Sequence, residues 1–357
     1  MRSYDFLVKR NDLTACSVEP ASEPPIAPGE VLLRVERFGL TANNITYGVA
    51  GDLIGYWRFF PAPGDWGRIP AWGIGTVSAS TVEAVAEGGR YFGYFPMSGH
   101  LVVSPAKAGP AGFADDVAHR RELPPVYNQY SLMTEALGFP AGQDNHQVIY
   151  RPLFTTSFVL ADYFADHDNF GAGQVILASA SSKTAFGTAL MMRDRPQRTI
   201  GLTSEANRRF VQRLGLYDQV ATYDEVADLD ASQPTAYIDM SGNRAVLAAV
   251  HRHFGGNLVN SCSVGITHRE ARTGPDPATL PGARPTLFFA PDQVRKRNEE
   301  WGSARFKQNL GAAWGAFLGV VDQWVDILEA PAPGRLESVY QTVLDGAAPN
   351  EAHVLVN

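Results

Sequence analysis

Gln174-Val-Ile-Leu-Ala-Ser-Ala-Ser-Ser-Lys-Thr-Ala-Phe-Gly187 is the stretch on which the fold turns. Its opening apolar run, 175–178, has the composition of a strand, and a helical pattern follows it, so the chain must bend sharply between the two. Only small residues suit such a bend, and Ser179, Ser182 and Ala185 stand at the spacing of a G-x-x-G-x-x-A turn. At a corner of this kind a pyrophosphate rests on free backbone N–H groups at the positive end of the helix. Ser179, Ser181, Ser182, Lys183 and Thr184 are therefore the candidate phosphate contacts. The usual glycines are absent, which makes the motif alone a weak signal. Ser182-Lys183-Thr184 also resembles the end of a nucleotide triphosphatase loop, G-x-x-x-x-G-K-[ST]. Leu177 and Ser182 occupy that motif's glycine positions, however, and no acidic magnesium partner follows a second strand.

Downstream, 199–225 reads as second strand, short turn, helix, a Leu214-Gly215 stop, and third strand. An Asp or Glu at the end of the second strand would hold a ribose 2′-hydroxyl, but Thr203 stands there. Hydroxyls at Thr203 and Ser204, with Arg208 one helical turn on, suit a 2′-phosphate, which favours NADP over NAD. The bland alternative makes Arg208 a solvated helix charge beside Glu205. The runs 175–178, 199–202, 219–222, 237–240, 258–262 and 286–290 are six strand candidates alternating with helix-compatible segments, the pattern of a doubly wound parallel sheet. Tyr223, Ser241 and Ser263, each directly after a strand candidate, are also assigned to the cofactor.

Upstream the character differs. A strand at 31–35 precedes a polar, glycine-bearing loop at 38–52. The aromatic segment 54–77, interrupted by prolines and glycines, reads as ordered loop. Short apolar runs at 76–82, 91–95 and 101–104 have all-β barrel spacing. Past Pro291 come about two helices, a short helix near 336–344 and a last strand at 352–356. With β-rich ends and a doubly wound middle, the simplest α/β architecture inserts one domain into the other: 1–135 completed by 323–357, and 136–322.

Together these segments resemble the medium-chain dehydrogenase/reductase superfamily, especially its zinc-free quinone-reductase-like branch. Gly29-Glu-Val-Leu-Leu-Arg-Val-Glu-Arg-Phe-Gly-Leu40 is similar to the family's opening barrel strand, and Ile69-Pro-Ala-Trp-Gly-Ile-Gly-Thr-Val77 to its P-G-x-E-x-x-G-x-V segment. Gly88-Gly-Arg-Tyr-Phe-Gly93 resembles its G-D-R-V-x-G turn. Ala236-Tyr-Ile-Asp-Met-Ser-Gly242 and Gly255-Gly-Asn-Leu-Val-Asn260 resemble the fourth and fifth strands of its cofactor domain. The resemblance implies a GroES-like β-barrel catalytic domain, a Rossmann NADP(H)-binding domain, and an offshoot family without an assigned function. Trp72 replaces the glutamate next to the family's zinc-binding histidine, and no Cys or His lies nearby, so a catalytic zinc is not expected. In this family a tyrosine after the first barrel strand lies by the nicotinamide, and Tyr47 falls at that place, with Asn43 and Asn44 on the same loop. Tyr47, Asn44 and Tyr127 are the candidate catalytic groups. Asn43, Tyr56, Trp57, Trp72, Tyr130 and Arg151 are the candidate substrate pocket, each with an ordinary packing role as its alternative.

A net charge of −7 argues against nucleic acid or an anionic membrane as main partner. With two cysteines, Cys16 and Cys262, and no C-x-x-C pair, neither a disulfide framework nor a thiolate zinc site is expected. His251 and His253 point apart on a helix, the other histidines lack ligand spacing, and surface or capping roles are expected for all. The start, with charges at Arg2, Asp5, Lys9 and Arg10, does not read as an export leader, and no stretch reaches the roughly 20 apolar residues of a membrane span. A cytoplasmic protein, possible as a homodimer, is expected. It would reduce an activated C=C or C=O of a small, fairly apolar molecule, an enone, enoyl ester or quinone. The alternative is a catalytically silent NADP-binding protein of the same fold.

Overall fold

Gln174–Ala178 is buried along its whole length, as a central parallel strand must be when helices cover both faces. In the computed structural model, which describes residues 3–264 and 279–357 and leaves out the side chains of Leu53 and Ile54, this strand lies inside a six-stranded parallel sheet. Arg2 and His268 fall outside the described residues. The spatial order is Gln219–Thr222, Arg198–Thr203, Gln174–Ala178, Thr235–Asp239, Leu258–Ser263, Thr286–Leu287. Numbered within the sheet this is 3-2-1-4-5-6, the doubly wound order, with the first and fourth strands side by side at the switch point. Lys183–Met192, Arg208–Leu214 and Arg244–Phe254 supply crossover helices. The Leu214-Gly215 stop is realised, because Gly215 takes φ 64° at the helix end. The sixth strand is shorter than expected: a helix begins at Ala290 with Pro291 in its first turn, a position proline favours.

The chain divides into two compact units, one of Met1–Arg151 with Asp326–Asn357 and one of Pro152–Val325. The helix Asp144–Asp166 carries the chain from the first into the second, with the seam between Arg151 and Pro152, where the sequence suggested 135/136. The first unit holds two mainly antiparallel sheets, with one parallel pair, Asp326–Pro331 on Glu351–Val356. Val31–Leu40 pairs with Pro70–Ser80 on one edge. On the other it pairs with His100–Val103 along its first half and with Glu351–Val356 along its second. Register shifts at Leu32/Leu33 and Val35/Arg37 let one strand serve three partners. Arg90–Pro96 and Gln129–Leu132 extend the sheet. Its core is aromatic and aliphatic, with Phe6, Val31, Leu33, Val35, Phe38, Phe59, Tyr94 and Phe95 almost wholly buried.

Two expectations for this unit are corrected. Within 38–52 the strand runs on to Leu40, and the helix Ala42–Val49 follows. A capping box starts it: the Thr41 hydroxyl accepts from the Asn43 amide while Asn44 accepts from the Thr41 amide at 2.8 Å. Within 54–77, a short turn of 3₁₀ helix at Tyr56–Arg58 and the strand from Pro70 replace much of the expected loop. Among the described residues no helix is long and apolar enough to cross a membrane.

Candidate functional site

Candidate residues fall in both units. In the parallel unit, Ser179 leaves the strand with φ 55°, left-handed backbone that ordinarily selects glycine. The bend thus has the glycine geometry with a serine in it. Ser182 then becomes the N-cap of Lys183–Met192, its hydroxyl accepting from the Ala185 amide at 3.2 Å. Neighbouring elements tie the bend down. The Ala180 amide donates to the Leu202 carbonyl (3.1 Å), Tyr217 Oη donates to the Ala180 carbonyl (2.9 Å), and Asn207 Nδ2 donates to Ser181 Oγ (3.1 Å). Tyr217 can lean over the sheet only because Gly201 lacks a side chain: a Cβ there would lie 2.8 Å from its ring. Tyr223 hydrogen-bonds at Ser179, and burial pushes its phenol up to about 12.

The end of the second strand is arranged differently from expectation. Thr203 is buried and its hydroxyl has no partner. Ser204 leads into the 3₁₀ turn Glu205–Asn207. Arg208 does not stand open for an anion: its Nε donates to Glu205 at 2.9 Å and its guanidinium reaches Glu225 at 2.5 Å. Ser241 is fully buried, donating to Asp239 at 2.7 Å in the turn after the fourth strand. Ser263 ends the fifth.

In the antiparallel unit, five of the sequence candidates converge. Tyr47 is buried and its oxygen accepts from Asn43 Nδ2 at 2.6 Å, a pair one helical turn apart. Its ring lies 4.5 Å from Tyr56, whose hydroxyl is 3.1 Å from that of Tyr127. Trp72 stacks on Phe92 at 5.5 Å and lies 5.9 Å from Tyr127. Tyr94, which sequence reasoning missed, joins the group: its ring is 4.8 Å from Tyr127, 5.1 Å from Trp72 and 5.7 Å from Tyr47. The Tyr94 hydroxyl and Trp72 Nε1 are buried beside the Tyr47 hydroxyl, with which both interact. Burial raises the pKa of Tyr47, Tyr94 and Tyr127 above the usual phenol value, and that of Tyr56 to about 12. The group is an apolar nest with neutral hydroxyls inside it, suited to hydrogen-bonding an oxygen rather than to ionising.

The other four candidates lie elsewhere. Asn44 spends its amide on structure, accepting from Thr41 and donating to the Pro70 carbonyl at 2.9 Å. Trp57 packs its indole against Gly51 and Gly67, where a Cβ would come within 2.1 and 2.5 Å of the ring. Tyr130 donates to the Tyr94 carbonyl at 2.6 Å and accepts from Arg120. Arg151, on the helix Asp144–Asp166, donates to the Gly138 carbonyl (2.9 Å) and Gln147 (2.8 Å) and lies 4.1 Å over the Phe139 ring. Desolvation lowers its pKa to about 10.

Arg120 was also missed. Buried to 1% exposure, it pairs with Asp115 at 3.0 Å and donates to Asn128 at 2.9 Å and to the Tyr127 carbonyl at 2.5 Å. It anchors the segment that presents Tyr127. Sequence carried no signal for it, because its partners gather only through strand pairing. His251 is buried rather than superficial, bonded to the Pro281 carbonyl and Ser261 at 2.8 and 2.9 Å; His253 caps the Leu229 carbonyl at 2.7 Å. Among the described residues no group of three or more His, Cys, Asp and Glu side chains is placed to hold a metal.

Solved structures of the same fold span the whole chain at low identity. CurA from Vibrio vulnificus in complex with NADPH is 13% identical, with 99% of each chain covered and a TM-score of 0.62. A mutant enoyl thioester reductase from Candida tropicalis is 13% identical, with 100% of each chain covered and a TM-score of 0.59. The yhdH oxidoreductase from Salmonella enterica in complex with NADP is 14% identical, with 99% of each chain covered and a TM-score of 0.53. At these identities the likeness establishes the fold, which is the expected pairing of a GroES-like unit with a Rossmann unit. No curated protein sequence matches. One family model does, over residues 38–349, and its description is "Protein of unknown function (DUF2855)". The chain therefore belongs to the DUF2855 family.

Proposed function

We propose that this chain is an NADPH-dependent reductase that adds hydride to an activated C=C or C=O of a small, fairly apolar molecule, without zinc. The observation that carries the reading is Ser179 in left-handed backbone at a strand–turn–helix corner. A serine is held there at a conformational cost, at the kind of strand-to-helix corner where a diphosphate can rest on backbone amides, and this supports the reading. The NADPH and NADP complexes among the solved structures of this fold support the choice of cofactor. The partnerless buried hydroxyl of Thr203, at the carboxyl end of the neighbouring strand, fits a ligand at the same edge.

Bound NADPH would supply the hydride. Ser179, Ser181, Ser182, Lys183 and Thr184 would hold its diphosphate, with Thr203, Ser204 and Tyr223 toward the ribose. Tyr47 is the candidate donor to the substrate oxygen. Because Asn43 Nδ2 already donates to the Tyr47 oxygen, the phenol's own O–H is left to point at another acceptor. A buried phenol with a raised pKa gives up its proton reluctantly, so Tyr47 acts by hydrogen bonding to the oxygen that gains charge. The rings of Tyr56, Trp72, Tyr94 and Tyr127 exclude water and favour a flat apolar substrate such as an enone, enoyl ester or quinone.

Mixing the protein and NADPH with a panel of enones, enoyl thioesters and quinones in a stopped-flow spectrometer tests this. Cofactor absorbance is expected to fall with at least one substrate class. Tight NADPH binding with no turnover on any would reject the enzyme in favour of a silent nucleotide-binding protein.

A further inference from the structure

Arg208 is the cation best placed by sequence to meet a 2′-phosphate, yet two carboxylates already hold it. The ion pairs are exposed, but the sheet sets them at an edge where a ligand can compete for the guanidinium. Asn207, the preceding residue, bonds Ser181 of the phosphate turn, so Arg208 stands beside the bend. Glu205 approaches it from the same connection and Glu225 from the one after the third strand. All three lie at the carboxyl ends of adjacent parallel strands, the edge where such sheets take ligands. Glu225 is itself fixed, because its other oxygen accepts the Thr222 amide at 2.9 Å in a capping box. It therefore presents its charge to Arg208 from a set position. The two carboxylates outnumber the one guanidinium, so an arriving phosphate meets a neutralised cation and a surplus negative charge.

Resting on the dinucleotide reading above, we propose that Glu225, assisted by Glu205, is a specificity-determining latch: it occupies Arg208 in place of the 2′-phosphate and holds down the preference for NADPH over NADH. NADPH must displace at least one carboxylate to engage Arg208. NADH, with a 2′-hydroxyl, need not, and either carboxylate can accept a hydrogen bond from that hydroxyl.

The test is titration calorimetry of the full chain with NADPH and NADH, comparing the unaltered protein with Glu225→Gln, Glu205→Gln and Arg208→Ala. Glutamine keeps an oxygen for the Thr222 amide, and an unchanged melting temperature without nucleotide verifies that the fold is kept. Glu225→Gln is expected to tighten NADPH by roughly fivefold, the scale of one exposed ion pair, and Glu205→Gln by less. NADH should move by under about twofold, and Arg208→Ala should weaken NADPH alone. If the unaltered protein binds NADPH and both glutamine variants bind it equally well, the latch is overturned while the dinucleotide reading stands. Equal tightening of both nucleotides also overturns it. If no form binds either nucleotide, the dinucleotide reading falls and the latch with it.

Discussion

At Ser179 two small energies oppose each other. Left-handed backbone costs a residue with a Cβ about 1–2 kcal/mol, and replacing it by glycine gives back about 0.5–1 kcal/mol through the looser unfolded chain. Ser179→Gly should therefore gain only about 0.5 kcal/mol, read as a small rise in the urea midpoint with an unchanged slope. Ser179→Val should lose about 2 kcal/mol or more, since a branched Cβ makes that backbone costlier, and should impair NADPH binding. At Tyr47 the argument concerns chemistry. Tyr47→Phe should lower kcat by about a hundredfold and leave the NADPH dissociation constant unaltered; equal loss of both would make it a packing residue. Burial raises this phenol's pKa, so the donor stays protonated beyond the ordinary tyrosine range. Accordingly kcat/KM should show no downturn from Tyr47 up to about pH 10, and a fall assigned to it near neutrality would contradict the role. That Tyr47 and Asn43 belong together was legible from their i, i+4 spacing once a helix was allowed. Tyr94 was not, because only the cross-strand pairing of Trp72 with Tyr94 brings it in.

Among the elements, the strands were legible and the helix Ala42–Val49 was not. Strand runs such as 31–35 and 175–178 consist of residues with few alternatives. The helix contains Asn43, Asn44, Thr46 and Gly48, weak helix formers held in place by the Thr41–Asn44 capping box and by tertiary packing. Thr41-x-x-Asn44 was the available signal. The same limit hid the Arg120–Asp115 pair, whose members look like ordinary surface charges in sequence but are each 1% exposed. Removing one partner leaves a buried charge uncompensated, so Arg120→Ala should destabilise the antiparallel unit by about 3–5 kcal/mol. The double change Arg120→Met with Asp115→Leu should recover much of that in chemical unfolding. A single-variant loss below about 1 kcal/mol would show that water reaches the pair.

For the molecule as a whole, a ligand that binds only the folded chain raises its stability by mass action, about 2.7 kcal/mol at a hundred times the dissociation constant. Thermal unfolding should shift upward with NADPH, less with NADH and not with ATP; a shift with ATP alone, abolished by Lys183→Ala, would revive the triphosphatase reading. Doubly wound order was recoverable at this scale because the six strands of the parallel unit follow one another in sequence. The antiparallel unit draws on both ends of the chain, and the bond ladder joining Val31–Leu40 to Glu351–Val356 has a consequence during biosynthesis. A ribosome delivers the whole parallel unit before it delivers the last partner of that early strand. A chain truncated after residue 345 and freed from the ribosome should already resist protease across 152–264 and 279–325 while the first strands stay cleavable, so the parallel unit matures first and the aromatic nest is sealed last.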